Sequence, residues 1–372
     1  MLSDRDYMEL ALKLASTAKG KTNPNPVVGA VIVKDGSIVG TGIHRKAGEA
    51  HAEVHAFHMA GEHAKGATLY VTLEPCSHYG KTPPCANLVK ESGVRRVVVA
   101  TLDPNPQVAG KGVQILQDAG IEVEVGVLEE EAQKLNERFI HNMRTNRPFV
   151  ISKFAMTLDG KIATYNGHSK WISCEQSRLQ VHELRNEVDG ILVGIGTVLK
   201  DNPSLTTRLP NKKGKNPTRI ILDSRLRIPL DANILNTDEA NTIIVTTTDA
   251  DPMKIATLEK KNVTFIYCSK DEHGLCLKEL LQQLYKHGIT DVLVEGGGEV
   301  NASFLRAGLI YKFIIYIAPK LLGGRNSISP IAGRDVDSMD FAINVDFESI
   351  DRIGDDVCII AYPKQGEKHD KH

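Results

Sequence analysis

One histidine, two cysteines and a glutamate stand at spacings that suit a metal site. His51 and Glu53 share the tripeptide His-Ala-Glu, Cys76 follows Glu-Pro, and Cys85 follows Pro-Pro. One imidazole and two thiolates provide three zinc ligands, and a catalytic zinc keeps its fourth position for water. Zinc makes that water a nucleophile near neutral pH, and a neighbouring carboxylate can carry the protons. The pattern therefore predicts a catalytic zinc site with His51, Cys76 and Cys85 as ligands and Glu53 as the proton carrier.

The pattern is close to the His-x-Glu and Pro-Cys-x-x-Cys signature of zinc deaminases that act on nucleobases. It departs from that signature because eight residues, rather than two, separate the two cysteines. Two buried apolar cysteines and a chance His-x-Glu are the alternative interpretation. A structural zinc site, with His78 as a fourth protein ligand, is another. The predicted positions of these residues at strand and helix ends favour a metal site over chance. Three ligands with Glu53 beside them favour a catalytic site, because a structural site normally has a fourth protein ligand.

Two other known motifs match this region only in part. His51 and His55 are four residues apart, but Glu53 has the wrong offset for the protease motif His-Glu-x-x-His. Residues 80–82 resemble the end of a phosphate-binding loop, but Pro75 stands where its first glycine is required. The remaining cysteines are interpreted as small core residues rather than a second zinc site: Cys174, Cys268, Cys276 and Cys358.

Two glycine-rich turns in the second half of the chain follow predicted strands. The strand at 291–294 leads into Glu295 and three glycines before a predicted helix from Glu299, and the strand at 190–193 leads into Gly194-Ile-Gly-Thr. A glycine turn into a helix N-terminus can bind a pyrophosphate through its N–H groups. Neither turn matches Gly-x-Gly-x-x-Gly, so a Rossmann fingerprint is not supported. Glycine turns after strands also occur as purely structural devices.

The elements that must position these residues alternate along the N-terminal half. A helix begins after Ser3 with Asp6 as its capping-box partner, and Asp35-Gly36 predicts a hairpin between strands at 27–33 and 37–42. Further strands are predicted at 68–73, 96–101 and 121–127, and helices from about 51, after 84, at 112–119 and at 129–144. This alternation predicts an α/β sandwich with helices covering a mixed sheet.

The second half alternates in the same way, after a boundary that Pro148 places near 145–148. Strands are predicted at 149–155, 190–193, 219–222, 242–246, 264–267, 291–294, 313–317 and 358–362, and helices at 175–186 and 277–287. The predicted organisation is a domain at 1–146, a second α/β domain at 147–363 and a polar, disordered tail at 364–372.

Composition limits the function classes. The chain has 372 residues, a formal charge of -1 and only 5% aromatic residues. A nucleic-acid-editing deaminase, the main competing hypothesis, would need a basic groove or stacking aromatics, and neither is evident. The charged N-terminus does not fit a signal peptide, and the apolar runs are too short to span a membrane. We therefore expect a cytoplasmic protein with reduced cysteines that binds neither nucleic acid nor membrane.

Several longer motifs carry a resemblance to a known family. They begin with Thr22-Asn-Pro-Asn-Pro-Val-Val-Gly and continue with the His-Ala-Glu segment and the segment from Glu74 to Cys85. The second half adds Lys153-Phe-Ala-Met-Thr-Leu-Asp-Gly-Lys, Asp201-Asn-Pro-Ser-Leu-Thr-Thr-Arg and Glu295-Gly-Gly-Gly. Over about residues 1–363 the chain resembles the bifunctional deaminase/reductase family of riboflavin biosynthesis, in which the long cysteine spacing is usual.

The resemblance implies a cytidine-deaminase-like α/β/α sandwich followed by a dihydrofolate-reductase-like α/β domain. It implies two consecutive reactions on one small molecule, a diaminopyrimidinone ribosyl phosphate. A zinc-dependent step removes a ring amino group as ammonia, and NADPH then reduces the ribosyl group to a ribityl group. The implied cofactors are one Zn²⁺ per chain and NADPH. A homo-oligomer, either a dimer or a tetramer, is also expected.

The resemblance further implies a role for residues at the positions that match the family's motifs. In the first domain the substrate-binding residues are Asn23, His44, Lys81 and Thr82. In the second domain the NADPH-binding residues are Ala155, Trp171, Thr197, Asp201, Ser224, Gly297 and Gly298. The substrate-binding residues of the second domain are Lys153, Ser169, Arg185, Leu205, Arg208 and Glu295. Arginine suits a phosphate because its planar fork of donors can bind two oxygens together.

Overall fold

The computed structural model of the protein describes residues 2–79, 83–105, 108–271 and 274–364. It contains two compact units, which divide between Asn146 and Arg147. Within the described ranges, no helix is long and apolar enough to cross a membrane. The predicted disordered tail lies, beyond Lys364, outside the described residues.

The first unit is built on a five-stranded mixed sheet in the order β2-β1-β3-β4-β5. β1 is antiparallel to both β2 and β3, whereas β3, β4 and β5 run parallel. Its strands are β1 (Gly29–Lys34), β2 (Ser37–Ile43), β3 (Thr68–Val71), β4 (Arg96–Val99) and β5 (Glu122–Val125). Its helices are α1 (Asp4–Ser16), α2 (Ala52–Ala60), α3 (Cys85–Glu91), α4 (Lys111–Asp118), α5 (Glu129–Leu135) and α6 (Glu137–Thr145).

A local sequence signal and a close packing contact account for two helices of the first unit. Ser3 and Asp6 form the predicted capping box of α1. β2 packs directly on α2, because a Cβ atom added to Gly42 would lie 1.9 Å from the backbone oxygen of Ala52. This close approach fixes the N-terminus of α2, which follows His51.

The predicted single helix at 129–144 is wrong in one respect. The structure has two helices, α5 and α6, which meet at Asn136 with φ −106° and ψ 20°. The Asn136 side chain is buried and hydrogen-bonds both the N–H and the C=O of Val27. Side-chain hydrogen bonds of this kind compete with helical backbone geometry, and the partner is too distant in sequence to be foreseen.

The second unit is built on a nine-stranded sheet in the order β10-β9-β8-β7-β13-β6-β14-β16-β15. All neighbours are parallel except β14 with β16 and β16 with β15. The strands are β6 (Phe149–Thr157), β7 (Gly190–Gly194), β8 (Thr218–Leu222), β9 (Thr242–Thr246), β10 (Thr264–Tyr267), β13 (Asp291–Val294), β14 (Lys312–Ala318), β15 (Val345–Ile353) and β16 (Asp356–Pro363). β11 (Lys270–Asp271) and β12 (Gly274–Leu275) form a separate pair, and the helices are α7 (Glu175–Glu187), α8 (Ile195–Asp201), α9 (Pro252–Glu259), α10 (Leu277–Lys286) and α11 (Gly298–Arg306).

The central strands of this sheet are buried on both faces. On β7, Leu192 belongs to one apolar cluster, whereas its neighbours Ile191 and Val193 belong to another on the opposite face. Parallel strands that are covered on both faces read as continuous apolar runs, which is why the sequence revealed them. The eight predicted strands and the two predicted helices of this half are present. The predicted α/β fold class is confirmed for both halves.

Candidate active sites

Three elements of the first unit bring the predicted zinc ligands together. His51 precedes α2 as its N-cap, Cys76 lies on the segment after β3, and Cys85 is the first residue of α3. His51 Nδ1 lies 3.2 Å from Cys85 Sγ and 3.6 Å from Cys76 Sγ. The three donor atoms all lie within 4.8 Å of one another. One imidazole nitrogen and two sulfurs at this separation fit a tetrahedral zinc ion with one position left for a small ligand.

Hydrogen bonds prepare this cluster for a cation. The Cys85 backbone N–H donates to Cys76 Sγ at 3.2 Å. The Cys85 thiol, and then the His51 ring, lower the pKa of Cys76 to about 4, so its thiolate is the favoured form. Among the described residues the cluster contains three ligand side chains, and His78 lines the neighbouring cavity without joining it. This arrangement agrees with an open catalytic site rather than one closed by His78.

Glu53 lies beside the cluster in the first turn of α2. Its side chain is buried, with 3% of the residue exposed. Burial raises the pKa of Glu53 to about 7. A carboxyl group with such a pKa can both accept and donate a proton near neutral pH, as a general acid–base group requires.

A cavity of about 580 Å³ opens beside His51, Glu53 and Cys76. His44 and Asn25 lie in its wall, and their hydrogen bonds define the His44 tautomer. His44 Nδ1 donates to the backbone oxygen of Ala50 at 3.2 Å, so Nε2 carries no proton and accepts from the Asn25 amide at 3.1 Å. Burial lowers the pKa of His44, which keeps the ring neutral. His44 therefore holds Asn25 in place.

The other predicted contacts of this unit have different outcomes. Asn25, two residues after the predicted Asn23, lines the cavity, and sequence reasoning missed it even though it stands in the quoted Asn-Pro-Asn-Pro motif. Lys81 and Thr82 lie outside the described residues. Asp103, which was not predicted, also lines the cavity, and burial raises the pKa of its carboxyl group.

A second buried glutamate, Glu74, organises the chain around the cavity. Its carboxylate accepts hydrogen bonds from four backbone N–H groups, at 2.7 to 3.1 Å. The donors lie on the segment before α4 and in the first turn of that helix: Asp103, Gly110, Gly112 and Val113. Glu74 stands two residues before Cys76, so these bonds connect a zinc ligand to the wall that contains Asp103.

In the second unit, the structure brings three predicted substrate residues into one charged cluster. Ser152 of β6 pairs with Val294 of β13, so Lys153 and Glu295 are the next residues along adjacent strands. Lys153 Nζ lies 3.6 Å from Glu295 Oε2, and Arg185 of α7 binds both carboxylate oxygens at 2.8 and 3.0 Å. Burial acts to raise the pKa of Glu295, but the charges of Arg185 and Lys153 outweigh it and hold that pKa at about 2.

Two further predicted substrate residues lie beside this cluster. Arg185 Nη1 donates to the backbone oxygen of Thr206 at 3.2 Å, and Leu205 is buried with a left-handed φ of 51°. The Arg208 backbone N–H donates to His182 Nδ1 at 3.3 Å, and one of the Arg208 guanidinium nitrogens lies 3.4 Å from His182 Nε2. Sequence reasoning missed His182, which stands three residues before Arg185 on α7.

The two glycine turns meet at the carboxyl ends of adjacent strands. A Cβ atom added to Gly297 would lie 3.8 Å from Thr197 Oγ1, and one added to Gly298 would lie 2.5 Å from the backbone oxygen of Ser329. A side chain at Gly298 would therefore clash. The other predicted cofactor residues lie on or after neighbouring elements, with Ala155 on β6, Asp201 ending α8, and Ser224 following β8.

The segment before α7 carries the last two predicted residues. Trp171 is 63% exposed, and the Arg178 guanidinium stacks over its ring at 4.7 Å. Lys320 Nζ donates to the backbone oxygens of Trp171 and Ile172, which ties this segment to the one after β14. Ser169 is partly buried and, within the described ranges, makes no hydrogen bond to the charged cluster.

Two family models match the chain. Residues 1–101 match the cytidine and deoxycytidylate deaminase zinc-binding region. Residues 148–359 match the RibD C-terminal domain. The first match covers all three ligands of the cluster and Glu53, and the second covers the charged cluster and both glycine turns.

Relatives and solved structures match almost the whole chain. The riboflavin biosynthesis protein RibD of Aquifex aeolicus is 48% identical over 357 residues, which cover 96% of this chain and 97% of the relative. RibD of Escherichia coli is 41% identical over 370 residues, with 96% and 99% covered. The structure of Acinetobacter baumannii RibD, form 1, is 41% identical with a TM-score of 0.87, covering 97% of this chain and 99% of that one.

A Thermotoga maritima structure, described as a diaminohydroxyphosphoribosylaminopyrimidine deaminase/5-amino-6-(5-phosphoribosylamino)uracil reductase, is 39% identical with a TM-score of 0.84, covering 97% of this chain and 99% of that one. The fold and the ligand cluster define a zinc-dependent deaminase domain joined to a second, reductase-type α/β domain. The chain belongs to the RibD family of riboflavin biosynthesis, whose members are bifunctional deaminase/reductase enzymes.

Proposed function

We propose that residues 1–146 hydrolyse an amino group from the ring of a diaminopyrimidinone ribosyl phosphate and release it as ammonia. The observation that carries this proposal is the convergence of His51, Cys76 and Cys85 beside the buried Glu53, at the wall of a cavity of about 580 Å³. The name of the Thermotoga maritima relative supports this choice of substrate.

The protein's own residues explain the proton movements of this step. His51 and the two cysteines would hold zinc, which supplies a water acidified to near neutral pH. Glu53 accepts a proton from the attacking water, donates one to the adjacent ring nitrogen, and then helps to protonate the leaving ammonia. Its pKa of about 7 suits both directions of transfer.

Substrate binding in the first unit is assigned to polar groups near the cavity. Asn23, His44, Lys81 and Thr82 remain the proposed contacts, with Lys81 and Thr82 suited to a phosphate. We add Asn25, because its amide is oriented by the neutral His44 ring at the cavity wall. In this arrangement His44 contributes by fixing the orientation of Asn25.

We propose that residues 147–363 use NADPH to reduce the ribosyl group of the deaminated product to a ribityl group. The proposed cofactor residues are Ala155, Trp171, Thr197, Asp201, Ser224, Gly297 and Gly298. The meeting of the Thr197 and Gly297 turns at adjacent strand ends supports a pyrophosphate site there. Hydride transfer itself requires orientation from the protein, since the cofactor supplies the chemistry.

The proposed substrate residues of this unit include three cationic side chains. They are Lys153, Ser169, Arg185, Leu205, Arg208 and Glu295. Glu295 holds Lys153 and Arg185 at fixed positions. Arg208 lies beside His182, which is on α7 with Arg185. Arginines placed in this way suit the phosphate of the ribosyl chain.

Two assays test the proposed function. Purified zinc-loaded protein is expected to release ammonia from the diaminopyrimidinone ribosyl phosphate without NADPH. It is also expected to oxidise NADPH only when the deaminated compound is present. Protein that is folded and contains zinc, but produces no ammonia from this compound, would contradict the deaminase proposal. Ammonia release without NADPH oxidation would remove the reductase proposal alone.

Two broader features are proposed on separate grounds. We propose a homo-oligomer, a dimer or a tetramer, because the edge strand β15 exposes Phe347 and Ile350 by 62% and 60%. Light scattering at several protein concentrations tests this assembly.

We propose a cytoplasmic location because Cys76 and Cys85 must stay reduced to bind zinc.

A further inference from the structure

Helix α6 forms part of the wall of the deaminase cavity, although neither family model includes it. The matched regions end at residue 101 and begin again at residue 148, whereas α6 spans Glu137–Thr145. Phe139 and Met143 both line the cavity. They stand four residues apart, so they lie on the same face of the helix. These two side chains therefore add a phenyl ring and a thioether to the cavity wall from outside the zinc-binding region.

A buried amide fixes α6 relative to the opposite segment of the chain. Asn136 precedes α6, and it is 4% exposed. Its Oδ1 accepts from the Val27 N–H at 2.9 Å, and its Nδ2 donates to the Val27 oxygen at 3.0 Å, across 109 residues of sequence. Val27 stands two residues after Asn25, which also lines the cavity. This pair of bonds sets the position of Asn25 and the start of α6 together.

The polar and the apolar side chains that line the cavity suit different parts of a flat heterocycle. Asn25, Glu53 and Asp103 offer hydrogen-bonding groups, which can bind ring edges and exocyclic groups. Phe139 and Met143 offer a ring and a thioether, which suit the face of a π-system. A phosphate would gain nothing from either side chain, because burial against apolar groups removes its water without replacing it.

We propose that Phe139 and Met143 form the surface against which the face of the substrate's pyrimidine ring packs, and that Asn136 is the positioning residue for this surface. The inference rests on the proposed deaminase function and deepens it by assigning the residues that bind the ring face. Phe139 and Met143 line the cavity and are not among the three ligand side chains, so they act on substrate binding rather than on the metal.

Steady-state deamination by the full-length, zinc-loaded protein tests the contact. Phe139→Ala is expected to raise KM about tenfold with a smaller change in kcat, the scale expected for one base–aromatic contact. Phe139→Leu, which keeps apolar volume without a π-face, is expected to raise KM less. Met143→Ala is expected to raise KM several-fold. Arg144→Ala is the control, because Arg144 is exposed on the same helix and does not line the cavity.

Zinc content and direct binding separate the possible failures. The dissociation constant of the same substrate is measured on Glu53→Gln alone and in combination with Phe139→Ala or Met143→Ala. Wild-type KM and unchanged dissociation constants in the Phe139 and Met143 variants, at full zinc content, would overturn the inference. A wild-type protein that neither binds nor deaminates this compound would overturn the proposed function first.

The positioning role of Asn136 has its own measurement. Asn136→Ala loses both bonds to Val27, whereas Asn136→Asp keeps an acceptor for the Val27 N–H. Both variants are expected to raise KM when assayed well below their melting temperatures, because Asn136→Asp places an oxygen against the Val27 oxygen to which Nδ2 donates. A folded variant that melts earlier but keeps the wild-type KM would reduce Asn136 to a purely structural role and overturn this part of the inference.

Discussion

At the scale of single residues, the two units contain buried glutamates with opposite properties. Burial raises the pKa of Glu53 to about 7. Burial acts in the same direction on Glu295, but Arg185 and Lys153 outweigh it and hold that pKa at about 2. The same side chain thus suits proton transfer in one unit and a permanent negative charge in the other, because the neighbouring charges differ.

Glu53→Gln tests the proposed proton carrier. The amide keeps the size of the side chain but cannot exchange protons, so ammonia release is expected to fall by on the order of a hundredfold or more. Bound zinc, measured by metal analysis, is expected to stay at the wild-type level. Glu62→Gln, at an exposed position shortly after α2, is the control. Wild-type turnover in Glu53→Gln would remove Glu53 from the mechanism.

The charged cluster of the second unit predicts a specific pH dependence of stability. The folded-state pKa of Glu295, about 2, lies below the ordinary value of 4.5. Its contribution to the free energy of unfolding is therefore complete above about pH 4.5 and is lost as the pH falls towards 2. Glu295→Gln is expected to destabilise this unit by about 2–4 kcal/mol at pH 7 and to lose that part of the pH dependence.

The chain's single tryptophan, Trp171, lies in the second unit, so the stability of that unit can be measured by fluorescence. Its fluorescence during denaturant unfolding, recorded between pH 7 and the acid range, reports on that unit. Glu299→Gln is the control, since Glu299 is exposed. If the free energy of unfolding has the same pH dependence in wild type and in Glu295→Gln, the predicted contribution of the Glu295 ion pairs is contradicted.

Some residues of the two candidate sites could be predicted from the sequence, and others could not. His51, Cys76 and Cys85 could be predicted because their residue types restrict the chemistry and their places at element ends restrict the geometry. The contact of Lys153 with Glu295 could not be derived from residues alone, because it depends on which strands are adjacent in the sheet. Asn25 was missed because the sequence of a motif with two asparagines does not reveal how each side chain is oriented.

At the scale of elements, continuous apolar runs were sufficient to predict the central strands of the second unit, whereas the edge strand β15 was missed. A register shift between Phe347 and Ser349 interrupts the alternation of apolar side chains along β15. α8 was missed because its first turn contains Gly196 and Thr197, which are weak helix formers, and no bounds were predicted for α9. The break at Asn136 depends on Val27, which no local pattern contains.

Glu74→Gln tests the connection between β3 and α4. An amide cannot accept all four backbone hydrogen bonds that the carboxylate accepts, and its NH₂ group faces donors. The first unit is expected to lose about 2–4 kcal/mol of stability and to retain zinc less well. Thermal denaturation and metal analysis measure the two effects. Glu91→Gln at an exposed position is the control, and equal melting of both variants would contradict the proposed role.

At the scale of the whole molecule, the two sets of proposed catalytic residues belong to separate compact units. Motifs distributed over about residues 1–363 predicted two consecutive reactions, and the relatives match almost the full length of the chain. The observation that supports the proposed homo-oligomer could not come from the sequence, because the exposed side chains of an edge strand become visible only when the strands are placed in order.

Separation of the sites predicts that they can be inactivated independently. Glu53→Gln is expected to reduce the supplied deaminated compound with wild-type kinetics, because residues in separate units contribute additively. Conversely, Glu295→Gln is expected to release ammonia normally and to oxidise NADPH poorly. Parallel loss of both activities in either variant would contradict this independence.

The most direct test of the central claim is the mass of the product formed by the purified, zinc-loaded protein from the diaminopyrimidinone ribosyl phosphate. Without NADPH, the account predicts that one amino group is replaced by oxygen and that nothing further changes. With NADPH, it predicts the same exchange followed by the gain of two hydrogens. An unchanged mass under both conditions, or a gain of hydrogens without loss of the amino group, would contradict the account.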